Sequence, residues 1–419
     1  MNQPILSHYG LNKIYRCAGY PVGFRVRTEK REKFYAGWPG MGLCLYFRSL
    51  PKRFTEASHF NEAQVPHYHE ILNVITKDRK IVFYVIDCLT ETGGVERRLA
   101  LQFDWLTRHG IQPVLVIEDQ SYEPLNGYPC LKLLQWAPNA REIFMDLVRK
   151  VKPYAVEFHM KSPKFFHGLD LEVLKKLTRV GVMIHGQGDF DQYRLNALDY
   201  GCTVRLHEQP YKNLTFLPNV VRFPATTSTY NLKVKKALYV GRIDAEKLPT
   251  VKSFVAICRR YGIDYDIAGS LSDAREVQAW IPTQPANVFI GMVDTRQYFL
   301  RHGHDYAFIG GVGQVVLEAV AANLPCLVTT HQKDAMRSAF VTKDNLAELL
   351  NWNCVLRRCP EDRVGRHVDP FFEARAEALK DDDAALTHFY GTYFARKELQ
   401  ALRHEDEVWS KYLKLVLGE

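Results

Sequence analysis

The pattern of apolar and polar residues changes at about residue 78. Before that point, short runs at 23–27 and 43–48 alternate in character and are bounded by glycine and proline, which is typical of strands. From Lys80 the run KIVFYVIDCL is almost continuously apolar, as expected for a parallel strand buried on both faces. The sequence therefore predicts a β-rich N-terminal extension over residues 1–78, followed by an α/β fold.

A strand, a glycine-containing turn, a helix and a second strand follow one another from Lys80. The helix is predicted by a stripe made of Val95, Leu99, Phe103 and Leu106. Gly110 ends it, and the apolar run IQPVLVIE predicts the next buried strand. This order is the unit of a doubly wound parallel sheet, and further strands are expected at 154–159 and 180–185.

A second α/β series begins at KKALYVGRID, after a stretch rich in Pro, Thr and Asn at 217–233 that resembles a linker. The chain is predicted to form two Rossmann-like domains that face a cleft, over residues 79–222 and 223–385. Helices over residues 386–419 would close the fold. Ligands of such sheets bind outside the carboxyl ends of the strands, which places a site in the cleft.

Composition narrows the class of protein. The 419 residues are 47% hydrophobic and 24% charged, which excludes a mainly disordered chain. The sequence has no apolar run long enough to span a membrane and no apolar N-terminal core of signal-peptide type, so we expect a cytoplasmic protein. The formal charge of +8 favours anionic partners, which include nucleotide phosphates, anionic lipid surfaces and nucleic acid.

Gly93 and Gly94 stand between the first buried strand and its helix, in the segment Thr92 to Arg97. Glycines there let the backbone approach a ligand closely, and the helix N-terminus offers free N–H groups to an anion. A tight turn without a ligand explains the same residues equally well.

A pair of cations follows the first strand of the second series. Gly241 opens a turn, and Arg242 and Lys247 come directly after it. Arginine grips phosphate in a bidentate manner and lysine adds a point charge, so the pair could neutralise a departing diphosphate. The alternative is two surface cations at a helix start, which the helix dipole disfavours unless an anion binds.

A third glycine-rich turn precedes a helix near residue 314. The helix has an apolar stripe that includes Val312, and Glu318 shares a different face with Gly311 and Gln314. From that face a carboxylate could accept ribose hydroxyls while glycine N–H groups meet phosphate. Alternatively, Glu318 is a solvated helix residue.

These segments, in this order and spacing, resemble the retaining GT-B glycosyltransferases of family 4 over about residues 80–330. The motifs that carry the resemblance are Gly93-Gly94-Val95-Glu96, Ile184-His185-Gly186, Pro218-Asn219-Val220-Val221, Val240-Gly241-Arg242 with Glu246-Lys247, and Gly310-Gly311-Val312-Gly313 through Leu317-Glu318-Ala319-Val320-Ala321 to Pro325.

The resemblance implies a role for each matching residue. Arg242 and Lys247 would hold the donor diphosphate, Glu318 would bind the ribose, and His185 would lie near the transferred sugar. Together these four form the expected catalytic set. The expected donor-binding set is Gly93, Gly94, Gly241, Ile290, Met292, Gly310, Gly311, Val312, Gly313 and Gln314.

The implied reaction is transfer of a sugar from a nucleotide-sugar donor to a glycan or glycolipid acceptor, with retention of configuration. The pathway would be that of lipopolysaccharide, capsule or another cell-surface polysaccharide, with peripheral contact at the inner membrane surface. Cations and amides aimed at the leaving diphosphate stabilise its charge, so no metal and no other cofactor is expected.

One motif departs from the family pattern. The family has two glutamates eight positions apart, but Gly310 stands where the first would precede Glu318. This leaves open an unusual donor, a displaced carboxylate or lost activity. Two alternatives follow: a nucleotide-sugar-binding protein without transferase activity, and a nucleic-acid-binding protein that uses the basic, aromatic residues of 1–78. Our prediction includes no nucleic-acid partner.

Overall fold

The computed structural model describes the two α/β domains and the strands that precede them. The described residues are 10–17, 20–27, 32–37, 44–47, 54–56, 75, 80–89, 93–120, 123–133, 140–159, 164–185, 195–204, 213–330, 335–356, 359, 363–365, 367–380, 382–403 and 405–418. Thr92 and Gly186, which belong to the predicted motifs, lie outside these ranges.

The N-terminal strands form an antiparallel sheet. They are β1 (Gly10–Cys17), β2 (Tyr20–Arg27), β3 (Glu32–Gly37), β4 (Cys44–Phe47) and β5 (Phe54–Glu56). The strand order is β4-β3-β2-β1-β5. The predicted β-rich extension is therefore confirmed for these strands. The side chains on which the nucleic-acid alternative depends lie outside what the structure describes.

The first α/β domain begins at the apolar run that the sequence predicts as a strand. Its elements are β6 (Lys80–Leu89), α1 (Gly94–Arg108), β7 (Ile111–Gln120), β8 (Cys130–Lys132), α2 (Ala140–Val151), β9 (Ala155–His159), α3 (Lys164–His167), α4 (Leu171–Lys175), β10 (Arg179–Ile184), β11 (Tyr200–Thr203) and β12 (Leu214–Phe216).

The strands of this domain form a parallel sheet in the order β12-β11-β10-β9-β6-β7-β8. The chain therefore crosses from one side of β6 to the other between β8 and β9. At such a reversal the loops after neighbouring strands separate and leave a crevice at the carboxyl ends. This crevice lies at the carboxyl ends of β6 and β9. The first domain contributes residues that follow β6 and β10 to its wall.

The second α/β domain repeats this topology. Its elements are β13 (Lys236–Val240), α5 (Leu248–Arg260), β14 (Asp264–Ala268), α6 (Arg275–Trp280), β15 (Phe289–Gly291), α7 (Thr295–His302), β16 (Phe308–Gly311), α8 (Gln314–Ala321), β17 (Cys326–Val328), β18 (Ala339–Phe340) and α9 (Leu346–Asn351). The strand order is β15-β14-β13-β16-β17-β18, and β18 alone in this described sheet pairs antiparallel.

The C-terminal helices cover both domains. They are α10 (Asp369–Ala378), α11 (Asp383–Tyr393), α12 (Arg396–Leu402) and α13 (Glu405–Leu417). Phe371 of α10 stacks on Phe340 of the second sheet at 3.7 Å between ring centroids. The helical closing segment therefore begins before residue 386, inside the range that the sequence assigns to the second domain.

The last helix, α13, returns to the first domain. Trp409 and Tyr412 are buried in the core that also contains Tyr84 of β6. The hydroxyl groups of Tyr84 and Tyr412 are 2.8 Å apart, and Trp105 Nε1 of α1 donates to Asp406 at 2.7 Å. The two domains are thus tied by the linker near residue 220 and by this returning helix.

Among the described helices, none has both the length and the apolar character needed to cross a membrane.

Candidate active site

A cavity of about 270 Å³ lies between the two domains, at the carboxyl ends of both parallel sheets. Most of the residues that the sequence singles out line it. These are Gly93, Gly94, His185, Gly241, Arg242, Lys247, Met292, Val312, Gly313 and Gln314. The remaining four, Glu318, Ile290, Gly310 and Gly311, lie outside its wall. The structure therefore brings together ten of the fourteen predicted positions.

The first domain presents the start of α1 to the cavity. Gly93 is the N-cap residue of α1 in extended conformation, and its carbonyl accepts from Arg97 N. A Cβ on Gly94 would come 3.9 Å from Cβ of Gln314, which starts α8 in the other domain. Two helix N-termini therefore approach each other across the cleft. Free N–H groups at helix starts are donors for an anion.

The second domain contributes the turns after β13, β14 and β15. Gly269 has φ of +143°, and a Cβ there would overlap the carbonyl oxygen of Gly241. Glycine is therefore required for the two turns to lie side by side. Gly241 N donates to Ala268 O at 3.0 Å, and Gly269 N donates to Gly291 O at 2.8 Å. Sequence reasoning missed Gly269, although its place directly after an apolar strand was a usable signal.

Arg242 and Lys247 reach the cavity from the turn after β13. Arg242 is exposed, and Lys247 is the N-cap residue of α5. The Lys247 backbone N–H donates to Asp244 Oδ1 at 2.8 Å, which fixes this turn, and Nζ lies 3.0 Å from Glu246 Oε1. The side chain of Glu246 is largely exposed, so this ion pair is weak and does not prevent Lys247 from meeting another anion.

The charged residues in the cavity wall are all cations. Arg97, Arg242 and Lys247 line it, and the lining residues of the described chain include no aspartate or glutamate. Cations and backbone N–H groups in a partly enclosed cleft focus a positive potential on whatever occupies it. The site therefore suits an anion with several oxygens, such as a diphosphate.

Glu318 is buried behind this wall. Its Oε2 accepts from Arg97 Nη1 at 2.5 Å and from the hydroxyl of Thr295, and the carboxylate side chain is 3% exposed. Burial raises the pKa of Glu318, while the Arg97 charge acts in the opposite direction. It is not a solvated helix residue. The ribose role that the resemblance gives to Glu318 stays a prediction. A ribose hydroxyl would have to share this carboxylate with Arg97.

Gly310 has a packing reason to be glycine. It lies in β16, and a Cβ there would overlap the ring of Phe254 from α5. A Cβ on Gly311 would lie 2.8 Å from Val315 Cγ1 and 3.2 Å from Val240 O. A glutamate at position 310 therefore has no room in this packing. Ile290 is partly buried and packs against the core of the second domain, away from the cavity wall.

His185 follows β10 directly and connects the cavity to a buried polar chain. Its Nε2 lies 2.8 Å from His159 Nδ1, and His159 Nε2 lies 2.6 Å from Glu157 Oε1. Burial lowers the pKa of His185 well below its ordinary value, with His159 and Arg98 acting in the same direction. His185 is therefore a neutral imidazole near pH 7.

Asparagines join the domains beside the cavity. Asn219 of the linker donates to Asn353 Oδ1 at 2.7 Å and accepts from Arg98 Nη1 at 3.1 Å. Gln314 Nε2 donates to Val220 O at 2.9 Å. Arg97, Asn219 and Asn353 thus belong to the site, although sequence reasoning assigned them no role. Arg97 and Asn219 stood inside recognised motifs, whereas Asn353 gave no signal.

Within the described ranges, no group of three or more His, Cys, Asp or Glu side chains is placed to hold a metal ion. The expectation of metal-independent chemistry rests on the family resemblance and stays a prediction.

No protein-family model matches this chain, and no curated protein matches it in sequence. Solved structures do match. An α-glucosyltransferase in complex with UDP is similar at a TM-score of 0.52 and 10% identity, over 81% of this chain and 100% of that chain. A glycosyltransferase from Rickettsia africae ESF-5 is similar at 0.52 and 14% identity, over 80% and 98%.

A third match is an α-glucosyltransferase in complex with UDP-glucose and DNA containing an abasic site. It has a TM-score of 0.50 and 10% identity, over 80% of this chain and 98% of that chain. At such low identity these likenesses show the fold. The chain has the GT-B architecture, in which two Rossmann-like domains face a cleft, and the predicted fold class is confirmed.

Proposed function

We propose that this protein is a glycosyltransferase that binds a nucleotide-sugar donor in the cleft between its two domains. The observation that carries the proposal is the cavity wall. Arg97, Arg242 and Lys247 line it together with glycine turns, and no described aspartate or glutamate does, since the carboxylates that pair with Arg97 and Lys247 lie outside it. A donor diphosphate is the anion that fits this wall in a GT-B fold. Two structural neighbours contain UDP or UDP-glucose, so UDP and its sugars are the first probes.

The chemistry follows from charge development. When the bond between the sugar and the diphosphate breaks, negative charge grows on the departing phosphate oxygen. The turn after β13 fixes the backbone of Lys247 and presents both Arg242 and Lys247 to the cavity, so the two cations lie close to the charge that they would stabilise. Such preorganised donors are each worth roughly 3 to 4 kcal/mol of barrier in known acyl-transfer sites.

Arg97 has a role in this proposal, although sequence reasoning assigned it none. It lines the cavity and also binds the carboxylate of Glu318. A donor ribose that uses Glu318 as an acceptor must therefore share that carboxylate with Arg97 or displace the guanidinium toward the phosphates. In both cases Arg97 adds positive charge on the phosphate side of the cavity.

We further propose that the acceptor is a glycan or glycolipid of a cell-surface polysaccharide, that configuration is retained, and that no metal takes part. The support for these three points is the family resemblance of the motifs. One structural neighbour was solved with DNA, so a DNA acceptor belongs in the first acceptor screen.

A second candidate function is nucleotide-sugar binding without transfer. The packing of Gly310 against Phe254 favours this candidate. The family has the first of its two glutamates at this position, and a glutamate cannot be accommodated there. This candidate predicts binding of a nucleotide and no turnover with any acceptor.

The experiment is a thermal-shift screen with UDP, GDP, CDP, ADP and CMP and their sugar conjugates. A ligand that binds the native state alone raises the melting temperature by mass action, with about 2.7 kcal/mol gained at a hundredfold excess over Kd. We expect one nucleotide diphosphate to raise the melting temperature of the wild type. Lys247→Ala should lose that shift.

The matched control is Lys252→Ala. Lys252 lies on the same helix, α5, is exposed and does not line the cavity. It should keep the full shift. A shift that survives Lys247→Ala unchanged, or no shift with any nucleotide, would contradict the proposed donor site.

A further inference from the structure

Asn353 lies in the turn that ends α9, and it lines the cavity. Its backbone N–H donates to Leu350 O at 3.0 Å, and the N–H of Cys354 donates to Leu349 O at 2.7 Å. These hydrogen bonds and a φ of +54° at Asn353 form a Schellman motif, in which the residue after the helix is left-handed. Helix capping therefore fixes the backbone of Asn353, and a glycine would satisfy the same conformation.

This turn lies against the start of α8. Gly313 is the N-cap residue of α8, and its N–H donates to Cys354 O at 3.2 Å. A Cβ on Gly313 would lie 3.8 Å from Asn353 O. The free N–H groups at a helix start favour an anion. Asn353 is therefore placed beside the part of the cavity that suits the oxygens of an anion.

A buried cation fixes the orientation of the amide group that precedes Asn353 in a chain of hydrogen bonds. Arg98 of α1 is 1% exposed, and its Nη1 donates to Asn219 Oδ1 at 3.1 Å. Burial lowers the pKa of Arg98 to about 10, so its guanidinium is charged near pH 7. Because a charged guanidinium only donates, the Asn219 atom that faces it must be the amide oxygen.

Asn219 passes this orientation on to Asn353. With its oxygen turned to Arg98, Asn219 presents its amide nitrogen, which donates to Asn353 Oδ1 at 2.7 Å. The other amide atom of Asn353 is therefore Nδ2, which carries two hydrogens to donate. Within the part of the chain that the structure describes, no hydrogen bond from Nδ2 to another group is formed.

The chain of hydrogen bonds gives the cavity a donor that differs from its cations. The Asn353 amide is neutral, and its direction is set by two successive hydrogen bonds that start at Arg98. Hydrogen bonds in such a chain polarise and strengthen one another. Arg242 and Lys247 supply charge, whereas Asn353 supplies an oriented N–H group.

We propose that Asn353 is a further ligand-binding residue of the cavity, whose Nδ2 donates to a phosphate oxygen of the bound anion. Asn219 and Arg98 are positioning residues that keep Nδ2 turned toward that oxygen. This inference rests on the proposed function for the identity of the anion as a nucleoside diphosphate. Asn353 lies beyond residues 80–330, so the motifs that carry the family resemblance do not assign it this role.

The test is calorimetric titration of the full chain with UDP and with inorganic pyrophosphate. Asn353→Gly keeps the left-handed turn and removes the amide group. Its Kd for both probes should rise about tenfold or more, as expected for the loss of a hydrogen bond to a charged group. Asn287→Gly is the matched control, because Asn287 is exposed, has a φ of +65° and does not line the cavity. An unchanged Kd in Asn353→Gly, or an equal rise in Asn287→Gly, overturns the proposal.

Asn353→Asp inverts the donor without changing its size. The carboxylate still accepts from Asn219, but an oxygen replaces Nδ2 and would face the phosphate. Binding of both probes should therefore be weaker than in Asn353→Gly. Binding as tight as in Asn353→Gly, or tighter, overturns the proposed contact.

The positioning role of Asn219 is tested by a double-mutant cycle. Asn219→Leu frees the Asn353 amide to rotate, so it should raise the Kd for UDP in the wild type and much less in Asn353→Gly. If Asn219→Leu does not fold, Asn219→Asp replaces it. This variant still accepts from Arg98 but cannot donate to Asn353, so its effect should also shrink in Asn353→Gly. Additive effects overturn the positioning role.

The outcomes separate this inference from the proposed function. Binding that depends on Asn353, without sugar transfer to any acceptor, contradicts the transferase function alone. Sugar transfer together with binding that does not depend on Asn353 contradicts this inference alone. No binding of either probe by the wild type contradicts both.

Discussion

Replacing Arg97 with methionine removes the cation that compensates Glu318 while keeping a long aliphatic stem. The ion pair joins α1 of the first domain to α8 of the second, with Arg97 Nη1 and Glu318 Oε2 2.5 Å apart. The side chains are 14% and 3% exposed. The hydroxyl of Thr295 is the other described partner of the same oxygen. After the substitution, a buried carboxylate would keep one neutral donor.

The expected cost follows from that burial. Removing one partner of a fully buried pair costs about 3 to 5 kcal/mol, and the partial exposure of Arg97 places this case at the lower end, about 3 kcal/mol. The cost depends on pH. Burial already raises the pKa of Glu318 and Arg97 lowers it, so the substitution raises that pKa further. A carboxyl group whose pKa is higher in the folded state than in the unfolded state stabilises the protein in acid. This stabilisation is lost as the pH rises through the folded-state pKa.

The assay is urea unfolding of the wild type, Arg97→Met, Glu318→Gln and the double variant, at pH 7 and pH 5. At pH 7 we expect Arg97→Met to lose about 3 kcal/mol and the double variant to lose less than the sum of the singles, with a coupling of about 1 to 3 kcal/mol. At pH 5 the loss in Arg97→Met should shrink, because the raised pKa favours protonation of Glu318 toward acid pH and a protonated carboxyl group needs no cation.

Arg108→Met is the control. Arg108 lies on the same helix, is half exposed and pairs with the surface carboxylates of Asp104 and Glu405, so its removal should cost less than about 1 kcal/mol. A coupling below about 0.5 kcal/mol between Arg97 and Glu318, or a loss that grows toward pH 5, would refute the reasoning.

Further predictions concern packing and protonation. Gly310→Ala should lower the free energy of unfolding by about 1 to 3 kcal/mol in denaturant titrations, because its Cβ overlaps the Phe254 ring, and Phe254→Leu should recover part of that loss in the double variant. Additive effects would contradict this packing argument. Because the pKa of His185 is lowered in the folded state, the unfolded state binds a proton below about pH 6.5 that the folded state does not bind. The free energy of unfolding of the wild type should therefore fall toward pH 5 by up to about 1.4 kcal/mol per pH unit. His185→Asn should flatten that dependence, and an equally steep fall in the variant would contradict the assignment.

The strands and glycine turns of both domains could be predicted because their signals are local. KIVFYVIDCL forms β6 as expected, and Gly93, Gly241 and Gly313 all lie in turns at the cleft. Parallel strands end at a common edge, so residues that follow different strands converge without any knowledge of tertiary contacts. The family resemblance predicted that Arg242 and His185 belong to one site, and this topology explains why both line the same cavity.

The partners of these residues could not be predicted, because they depend on contacts between distant segments. Arg97 and Glu318 are separated by 221 positions and by the domain boundary. His159 ended a predicted strand but showed no sign of its contact with His185, since the two strands become neighbours only in the folded sheet. The helical pattern of the C-terminus likewise predicted α13 but not its return to the first domain.

The central claim is that the cationic cavity between the domains holds a nucleotide-sugar donor and promotes departure of its diphosphate. The most direct measurement is the rate of nucleoside diphosphate release from the donor that stabilises the wild type, compared among wild type, Lys247→Ala and Lys252→Ala in the presence of a glycan acceptor. The account predicts release by the wild type and by Lys252→Ala, and a rate at least about tenfold lower in Lys247→Ala. Full activity in a stable Lys247→Ala variant, or donor binding by the wild type without any release, would contradict it.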